Sequence, residues 1–291
     1  MLATVCGTEI YFAVDGAKLD VVDGRLHAKP TLVALHGGPG FDHAYLKPGL
    51  GLLRDRAQIV YVDLRGQGRS ARPPLETCSL EQMADDVAAL CGVLGIERPI
   101  VFGHSAGGFV ALHLALRHPA LVGGLILCET APTLGPVGDD GGEPAPSLAS
   151  RAGPEVLDVV GRIFGGDMTA ASIAEYMATV GPYYAGPAHM DVAAAVMGLS
   201  GISVDVMRHF FTVLGAGYDV RAELKDILAP TLIMAGGHDW VCPPRASRLM
   251  ARSIPGARLV EFPDCGHLVF SEAPERFQQA VTGFLAGLSR P

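Results

Sequence analysis

Short apolar runs alternate with amphipathic stretches along the first half of the chain. Each run is about five residues long and ends at a cluster of turn residues, which is the pattern of buried strands. Between the runs, apolar residues recur at helical spacing over Ser79–Leu94 and Ala106–His118. This alternation predicts a mostly parallel sheet covered by helices on both faces. The predicted strands are Thr31–Leu35, Gln58–Asp63, Ile100–Phe102 and Gly124–Cys128.

Local signals predict two further features near these runs. Ile10–Val14 and Leu19–Val22 flank Asp15-Gly16, and this spacing predicts that the two patches pair as a hairpin. Ser79 stands three residues before Gln82 at the start of the first amphipathic stretch, so we expect Ser79 to be the N-cap of that helix.

The strand pattern lapses between about Thr133 and Tyr218 and then resumes. The lapse begins with GPVGDDGGEPAPS, which predicts a flexible loop, and continues with helical stretches. The sequence therefore predicts an α/β fold with a core over residues 1–132 and 219–291, and an inserted helical cap over residues 133–218. The helices predicted in the cap are Pro154–Phe164, Ser172–Val180, Met190–Leu199 and Val204–Leu214. The resumed elements are Thr231–Ala235, Arg245–Ser253, Arg258–Phe262 and Pro274–Leu288.

Composition narrows the possible partners. The 291 residues carry a formal net charge of −8 with no cluster of Lys and Arg, so we expect no nucleic-acid partner. An apolar run of about 18 residues is missing, as is a signal-peptide pattern, which predicts a cytoplasmic protein without a membrane partner. The six cysteines lack CxxC spacing, so we expect reduced thiols and no metal site.

The strongest chemical signal is Gly103-His104-Ser105-Ala106-Gly107, a G-x-S-x-G motif between a predicted strand and a predicted helix. In that context the serine lies on a sharp turn, where we expect a strained backbone. The N-terminus of the following helix favours an oxyanion. The motif therefore predicts that Ser105 is a nucleophile.

A serine hydroxyl needs a base, and that base needs an orienting acid. His267 lies between the last predicted strand and the last helix, and Asp239 follows the strand before that, which matches the order Ser, Asp, His typical of this motif. His36, His104 and His238 are the competing histidines, and we expect His36 and His104 to orient backbone. Glu129 is the alternative acid and a candidate contact for the substrate.

An oxyanion hole needs two N–H donors. Ala106 supplies one because it follows the nucleophile, and the HGGPG loop over residues 36–40 supplies the other. We favour Gly38 as the second donor, with Gly37 next. This loop lacks the lysine of a nucleotide-binding P-loop, and no organic cofactor is expected.

Several motifs resemble those of proline iminopeptidases (prolyl aminopeptidases) and their relatives among α/β-hydrolases. They are HGGPG, DLRGQGRS, GHSAGG, HDWVCPP and CGH. The resemblance implies that carboxylates of the cap bind the free α-amino group of a substrate. Members of that family often carry GGSWG at the nucleophile, whereas GHSAG here is a form shared with esterases and lactonases. The candidate carboxylates are Glu143, Glu155, Asp167, Glu175 and Asp191, of which we favour Glu175.

These observations predict acyl transfer to water on a small molecule or short peptide. Release of an N-terminal proline is the first hypothesis, and hydrolysis of small esters or lactones is the second. A third reading, a non-catalytic ligand-binding protein, would fit if a member of the triad were missing, but all three positions are filled. We also expect deletion of Thr133–Tyr218 to destroy selectivity before acyl transfer.

Overall fold

A twisted eight-stranded sheet forms the centre of the computed structural model, which describes residues 1–138 and 140–288. The strand order is β1-β2-β6-β5-β7-β8-β9-β10, and every neighbouring pair from β6 to β10 is parallel, which confirms the predicted mostly parallel sheet. The strands are Leu2–Val5 (β1), Thr8–Asp15 (β2), Leu19–Val22 (β3), Arg25–Ala28 (β4), Thr31–Leu35 (β5), Gln58–Val62 (β6), Ile100–His104 (β7), Gly124–Cys128 (β8), Thr231–Gly236 (β9) and Arg258–Phe262 (β10).

Helices cover both faces of this sheet. Because side chains alternate along a strand, Val33 and Leu35 of β5 join one apolar cluster, and Leu32 and Ala34 join another on the opposite face. The Ser79 hydroxyl accepts a hydrogen bond from the Gln82 amide, which confirms the predicted N-cap. The α-helices are Lys47–Leu50 (α1), Leu80–Val93 (α2), Ala106–Arg117 (α3), Pro154–Phe164 (α4), Ala170–Thr179 (α5), Met190–Met197 (α6), Val204–His209 (α7), Pro244–Ser253 (α8), Val269–Glu272 (α9) and Pro274–Leu288 (α10).

The predicted hairpin between Ile10–Val14 and Leu19–Val22 is wrong. Strand β2 pairs with β1 and β6, whereas β3 pairs with β4. The turns that join these partners are Cys6-Gly7 and Asp23-Gly24, in which both residues have positive φ, as a two-residue type I′ turn requires. Asp15 lies inside β2 and pairs with Ile59 instead, so Asp15-Gly16 does not close a hairpin.

Helices dominate the described part of the segment between β8 and β9. Helices α4 to α7 start and end within a few residues of the predictions, and a π-helical turn over Phe210–Leu214 extends α7. Thr133 forms a backbone bridge with Asp219, so the two ends of this segment lie together. Asp139 in the predicted flexible loop lies outside the described residues, as do the last three residues of the chain.

Two general properties bear on the expectations drawn from composition. Over residues 1–138 and 140–288, none of the helices combines the length and the apolar character that crossing a bilayer requires. The six cysteines are free thiols, and all except Cys6 are buried.

Candidate active site

Ser105 lies between β7 and α3 with a backbone φ of 52° and ψ of −124°. This conformation is sparsely populated by non-glycine residues and costs about 1–3 kcal/mol, so the predicted backbone strain is confirmed. The turn is tight because α3 starts against β5: a Cβ atom at Gly107 would overlap the carbonyl oxygens of Leu35 and His36. The glycine of the motif is therefore required by close packing.

Asp239 and His267 come together from two different loops at the same edge of the sheet. Asp239 follows β9 and His267 follows β10, and the Nδ1–H of His267 donates to Oδ2 of Asp239 at 2.8 Å. The other carboxylate oxygen accepts from the amides of Val241 and Cys242 at 2.8 and 2.9 Å. Asp239 is fully buried, so these bonds define its orientation, and His267 Nε2 is left as the acceptor nitrogen.

Two buried carboxylates hold the loop that carries His267. Glu272 accepts from the amides of Gly266 and Leu268, and Glu129 accepts from the amide of Val269. Burial raises the pKa of both carboxyl groups, and for Glu129 the nearby Asp239 adds to the effect. Sequence reasoning missed Glu272, because it predicted a loop between His267 and the helix at Pro274 and gave no sign of the short helix α9.

A chain of hydrogen bonds links the HGGPG loop to His267. The Gly37 amide donates to Tyr45 Oη at 2.6 Å, and Tyr45 donates to Nδ1 of His104 at 2.6 Å. His104 in turn donates from Nε2 to the carbonyl oxygen of His267 at 2.8 Å. Burial lowers the pKa of His104 well below its usual value, in keeping with a neutral ring. Sequence reasoning also missed Tyr45, because nothing in the motif points to it.

This chain of hydrogen bonds distinguishes the two glycines proposed for the oxyanion hole. The Gly37 amide is already used by Tyr45, whereas Gly38 and Ala106 both line the cavity beside Ser105. His36 donates from Nδ1 to the Gly37 carbonyl oxygen and accepts from the Leu64 amide at Nε2. His36 and His104 therefore orient backbone, as expected.

Ser105 and His267 open into one apolar cavity of about 130 Å³. The cap segment contributes much of its wall, together with Val241 and Leu268 of the loops that follow β9 and β10. Within the described part of the chain, no Asp, Glu, Lys or Arg side chain lines this cavity. Representative lining residues are Phe41, Phe109, Phe164, Tyr176, Met177 and Phe210.

Comparison with known proteins agrees with this arrangement. The family model described as the alpha/beta hydrolase fold matches residues 30–274. The chain belongs to this family. The iminopeptidase resemblance is thereby confirmed for the superfamily, and the subfamily stays a prediction.

Individual relatives of this hydrolase carry several activities in their names. A Caulobacter sp. (strain K31) protein named carbamate hydrolase RutD is 31% identical, with 94% of this chain and 97% of that protein covered. An esterase from Thermogutta terrifontis is 27% identical with a TM-score of 0.73, covering 99% and 97% of the two chains. The enol-lactonase from Burkholderia xenovorans LB400 is 25% identical with a TM-score of 0.74, covering 98% and 100%.

The carboxylates predicted to bind the substrate do not line the cavity. Glu175 is 47% exposed and pairs with Arg162 at 2.7 Å on the outer surface. Helix α5 instead turns Ile173, Tyr176 and Met177 inward, because an amphipathic helix buries its apolar stripe. The predictions for Glu175 and the other cap acids as cavity residues are therefore wrong; Glu143, Glu155, Asp167 and Asp191 are all exposed.

Glu129 also differs from its predicted roles. Its side chain is fully buried and lies behind the cavity, next to His104 and the amide of Val269. It does not line the cavity, so the prediction of a substrate contact is wrong. The imidazole of His267 hydrogen-bonds to Asp239 and not to Glu129. Glu129 instead accepts from the backbone amide of Val269 in the neighbouring loop.

Cys242 places a thiol next to the candidate nucleophile. It lines the cavity with Ser105, and its backbone amide donates to Asp239. Burial raises the pKa of Cys242 well above its usual value, and nearby Asp239 adds to this effect. The thiol is therefore a neutral packing group at pH 7, since only a thiolate is strongly nucleophilic.

Proposed function

We propose that this hydrolase acts through an acyl-enzyme formed on Ser105. In this mechanism His267 Nε2 takes the hydroxyl proton while the Ser105 oxygen attacks the substrate carbonyl carbon. Asp239 orients the imidazole and stabilises the imidazolium. His267 then protonates the leaving group, and water releases the acyl group by the same steps in reverse. The 2.8 Å bond between Asp239 and His267 supports these roles.

The amides of Gly38 and Ala106 are the proposed donors to the tetrahedral oxyanion. Both residues line the cavity next to Ser105, and the Gly37 amide is occupied by Tyr45. Two fixed backbone donors stabilise charge that develops on the carbonyl oxygen, and deleting one typically costs 10²–10³ in rate. Residues 133–218 form the proposed cap, because Ile163, Tyr176 and Phe210 of that segment line the same cavity.

The favoured substrate is a small carboxylic ester or lactone with an apolar group. The observation that carries this choice is the apolar cavity, which lacks an Asp or Glu side chain among its described lining residues. A free α-amino group would enter such a cavity without a charged partner, at a large cost in desolvation. Iminopeptidase activity stays a prediction without a supporting contact.

Carbamate hydrolysis is a second candidate, favoured by the relative that is 31% identical over nearly the full chain and is named a carbamate hydrolase. A carbamate ester would use the same nucleophile and oxyanion donors, with nitrogen in place of the first acyl carbon. The apolar cavity favours N-alkyl carbamate esters over the unsubstituted carbamate ion.

Hydrolysis rates on four classes of substrate test the proposal: a butanoate ester, a lactone, an N-alkyl carbamate ester and proline arylamide. We expect the butanoate ester or the lactone to be the fastest. Fast turnover of proline arylamide beside slow ester turnover would overturn the ester proposal. Labelling by a fluorophosphonate should occur in the wild type and be lost in Ser105→Ala, because only an activated serine reacts quickly.

A further inference from the structure

Two tyrosine hydroxyls meet inside the otherwise apolar cavity. Tyr176 of α5 and Tyr184 of the following turn both line the cavity, with their hydroxyl oxygens 2.9 Å apart. Tyr176 is buried and Tyr184 is half-buried. The ring of Tyr184 also packs edge-on against the ring of His267, with centroids 5.6 Å apart. The pair therefore lies on the flank of the cavity next to the proposed base.

The hydroxyl pair has one more proton than its mutual hydrogen bond uses. One hydroxyl donates to the other, and the second proton then has no acceptor among the described residues. Tyr45, the other tyrosine of the cavity wall, differs because its proton is given to His104. A hydroxyl proton without an acceptor is costly in apolar surroundings, so an oxygen atom of a bound substrate would be a favourable partner for it.

Both hydroxyl groups keep their protons at neutral pH. Burial raises the pKa of Tyr176 to about 12 and raises the pKa of Tyr184 well above its usual value. The pair is therefore a hydrogen-bond donor to a neutral acceptor, such as an ether, ketone or carbonyl oxygen.

We propose that the Tyr176–Tyr184 pair donates a hydrogen bond to a second oxygen of the substrate, in the alcohol part of the ester. This inference rests on the proposed esterase function. His267 must reach the leaving oxygen to protonate it, so the alcohol part lies along the His267 flank, where the pair is. The substrate class is then an ester or lactone whose alcohol part carries an ether or carbonyl oxygen.

Matched esters test this assignment. Pentyl butanoate and 3-methoxypropyl butanoate differ by one CH₂ replaced by oxygen. Each single Tyr→Phe variant keeps one hydroxyl, so the decisive variant is Tyr176→Phe/Tyr184→Phe, which keeps both rings. We expect it to lower kcat/KM for the methoxypropyl ester about 2- to 10-fold more than for the pentyl ester, with the difference lying in KM.

Tyr183→Phe is the control, because Tyr183 is the neighbouring tyrosine and does not line the cavity. We expect this variant to treat the two esters as the wild type does. An equal loss on both esters in the double variant, or a preference that appears only for oxygen in the acyl part, would overturn the proposal. Failure of the wild type to hydrolyse pentyl butanoate or to label with fluorophosphonate would instead overturn the esterase function, so the two failures are distinguishable.

Discussion

Tyr45 joins two loops that have different proposed roles in the reaction. Its hydroxyl accepts from the amide of Gly37, the neighbour of the proposed oxyanion donor Gly38, and donates to His104, which holds the carbonyl of His267. One buried phenol thereby links the loop of the proposed oxyanion donor to the loop of the proposed base. Such a residue acts by positioning, since its hydroxyl is already fully used.

Replacing Tyr45 by Phe tests this positioning role. We expect kcat to fall about tenfold with little change in KM, because Gly37 and His104 lose their shared partner while Gly38 keeps its amide. This is less than the 10²–10³ typical of deleting a donor outright. Tyr218→Phe is the control, since its hydroxyl donates to the Ala131 carbonyl and it does not line the cavity. An unchanged kcat in Tyr45→Phe would contradict the role.

The raised pKa of Glu129 predicts that the free energy of unfolding depends on pH, and one substitution at this residue tests the prediction. Its pKa is raised by burial above the ordinary 4.5, so the folded state binds more protons than the unfolded state above that pH. The stability that Glu129 contributes therefore decreases as the pH rises. The backbone φ of 50° at Glu129 lies in the left-handed region, which is strained for a non-glycine residue.

We expect Glu129→Gln to become more stable relative to the wild type as the pH rises from 5 to 8. The slope of the difference is at most about 1.4 kcal/mol per pH unit. Urea unfolding of both proteins across this range measures it. The exposed Glu175→Gln is the control and should track the wild type. A difference that stays constant with pH would show that folding does not raise the pKa of Glu129.

In the loop between β10 and α9, the position of His267 could be predicted from the sequence, but the side chains that hold the loop could not. The meeting of Asp239 and His267 could be predicted from the ends of the predicted strands, because the carboxyl ends of parallel strands meet at one sheet edge. The acceptors for the loop amides come from Glu129 and Glu272, and neither belongs to the motif. The hairpin prediction was wrong because Asp15-Gly16 competes with two other turns, Cys6-Gly7 and Asp23-Gly24. Those type I′ turns need positive φ angles, which the sequence only suggests.

Glu272→Ala removes the acceptor from three backbone amides, those of Gly186, Gly266 and Leu268. We expect a loss of about 3 kcal/mol in the free energy of unfolding, together with a lower kcat, because His267 lies between two of the released amides. Glu272→Gln keeps one acceptor oxygen and should lose less of both. A glutamine variant no better than alanine would indicate that the negative charge matters more than the hydrogen bonds.

At the scale of the whole molecule, the proposed cap and the core share the active-site loop. The His267 amide donates to the Tyr184 carbonyl oxygen at 2.6 Å, and the Gly186 amide donates to Glu272. Deleting Thr133–Tyr218 would remove these contacts, so acyl transfer and selectivity should be lost together. This differs from the expectation drawn from the sequence, which could show a helical insertion but not which of its residues reach the base.

Two alanine substitutions in one cap segment test this coupling without a deletion. A Cβ atom at Gly186 would overlap the Asp264 carbonyl oxygen, so Gly186→Ala must move the segment away from the His267 loop. We expect kcat/KM to fall about 10- to 100-fold on all esters alike. Gly181→Ala is the matched control, because a Cβ atom there meets nothing within 4 Å. A change confined to some esters would favour an effect on the cavity wall.

Side-chain direction in the cap limited the sequence-based prediction most. Helices α4 and α5 were found in their predicted places, yet Glu175 faces solvent and Tyr176, its neighbour in sequence, faces the cavity. A helical wheel gives an apolar stripe but does not say that the cavity lies beneath it. The prediction that Glu175 binds the α-amino group of a substrate depended on the direction of its side chain, which a correct helix prediction does not give.

The carboxylates that hold the His267 loop also determine how the protein responds to heat. Many active-site loops open at temperatures well below those that melt the core. Here the amides on both sides of His267 are anchored to Glu272, and the amide of Val269 is anchored to Glu129 just after a central strand. Warming should therefore end catalysis and melt the fold in a single transition, with no temperature range in which a folded protein is idle.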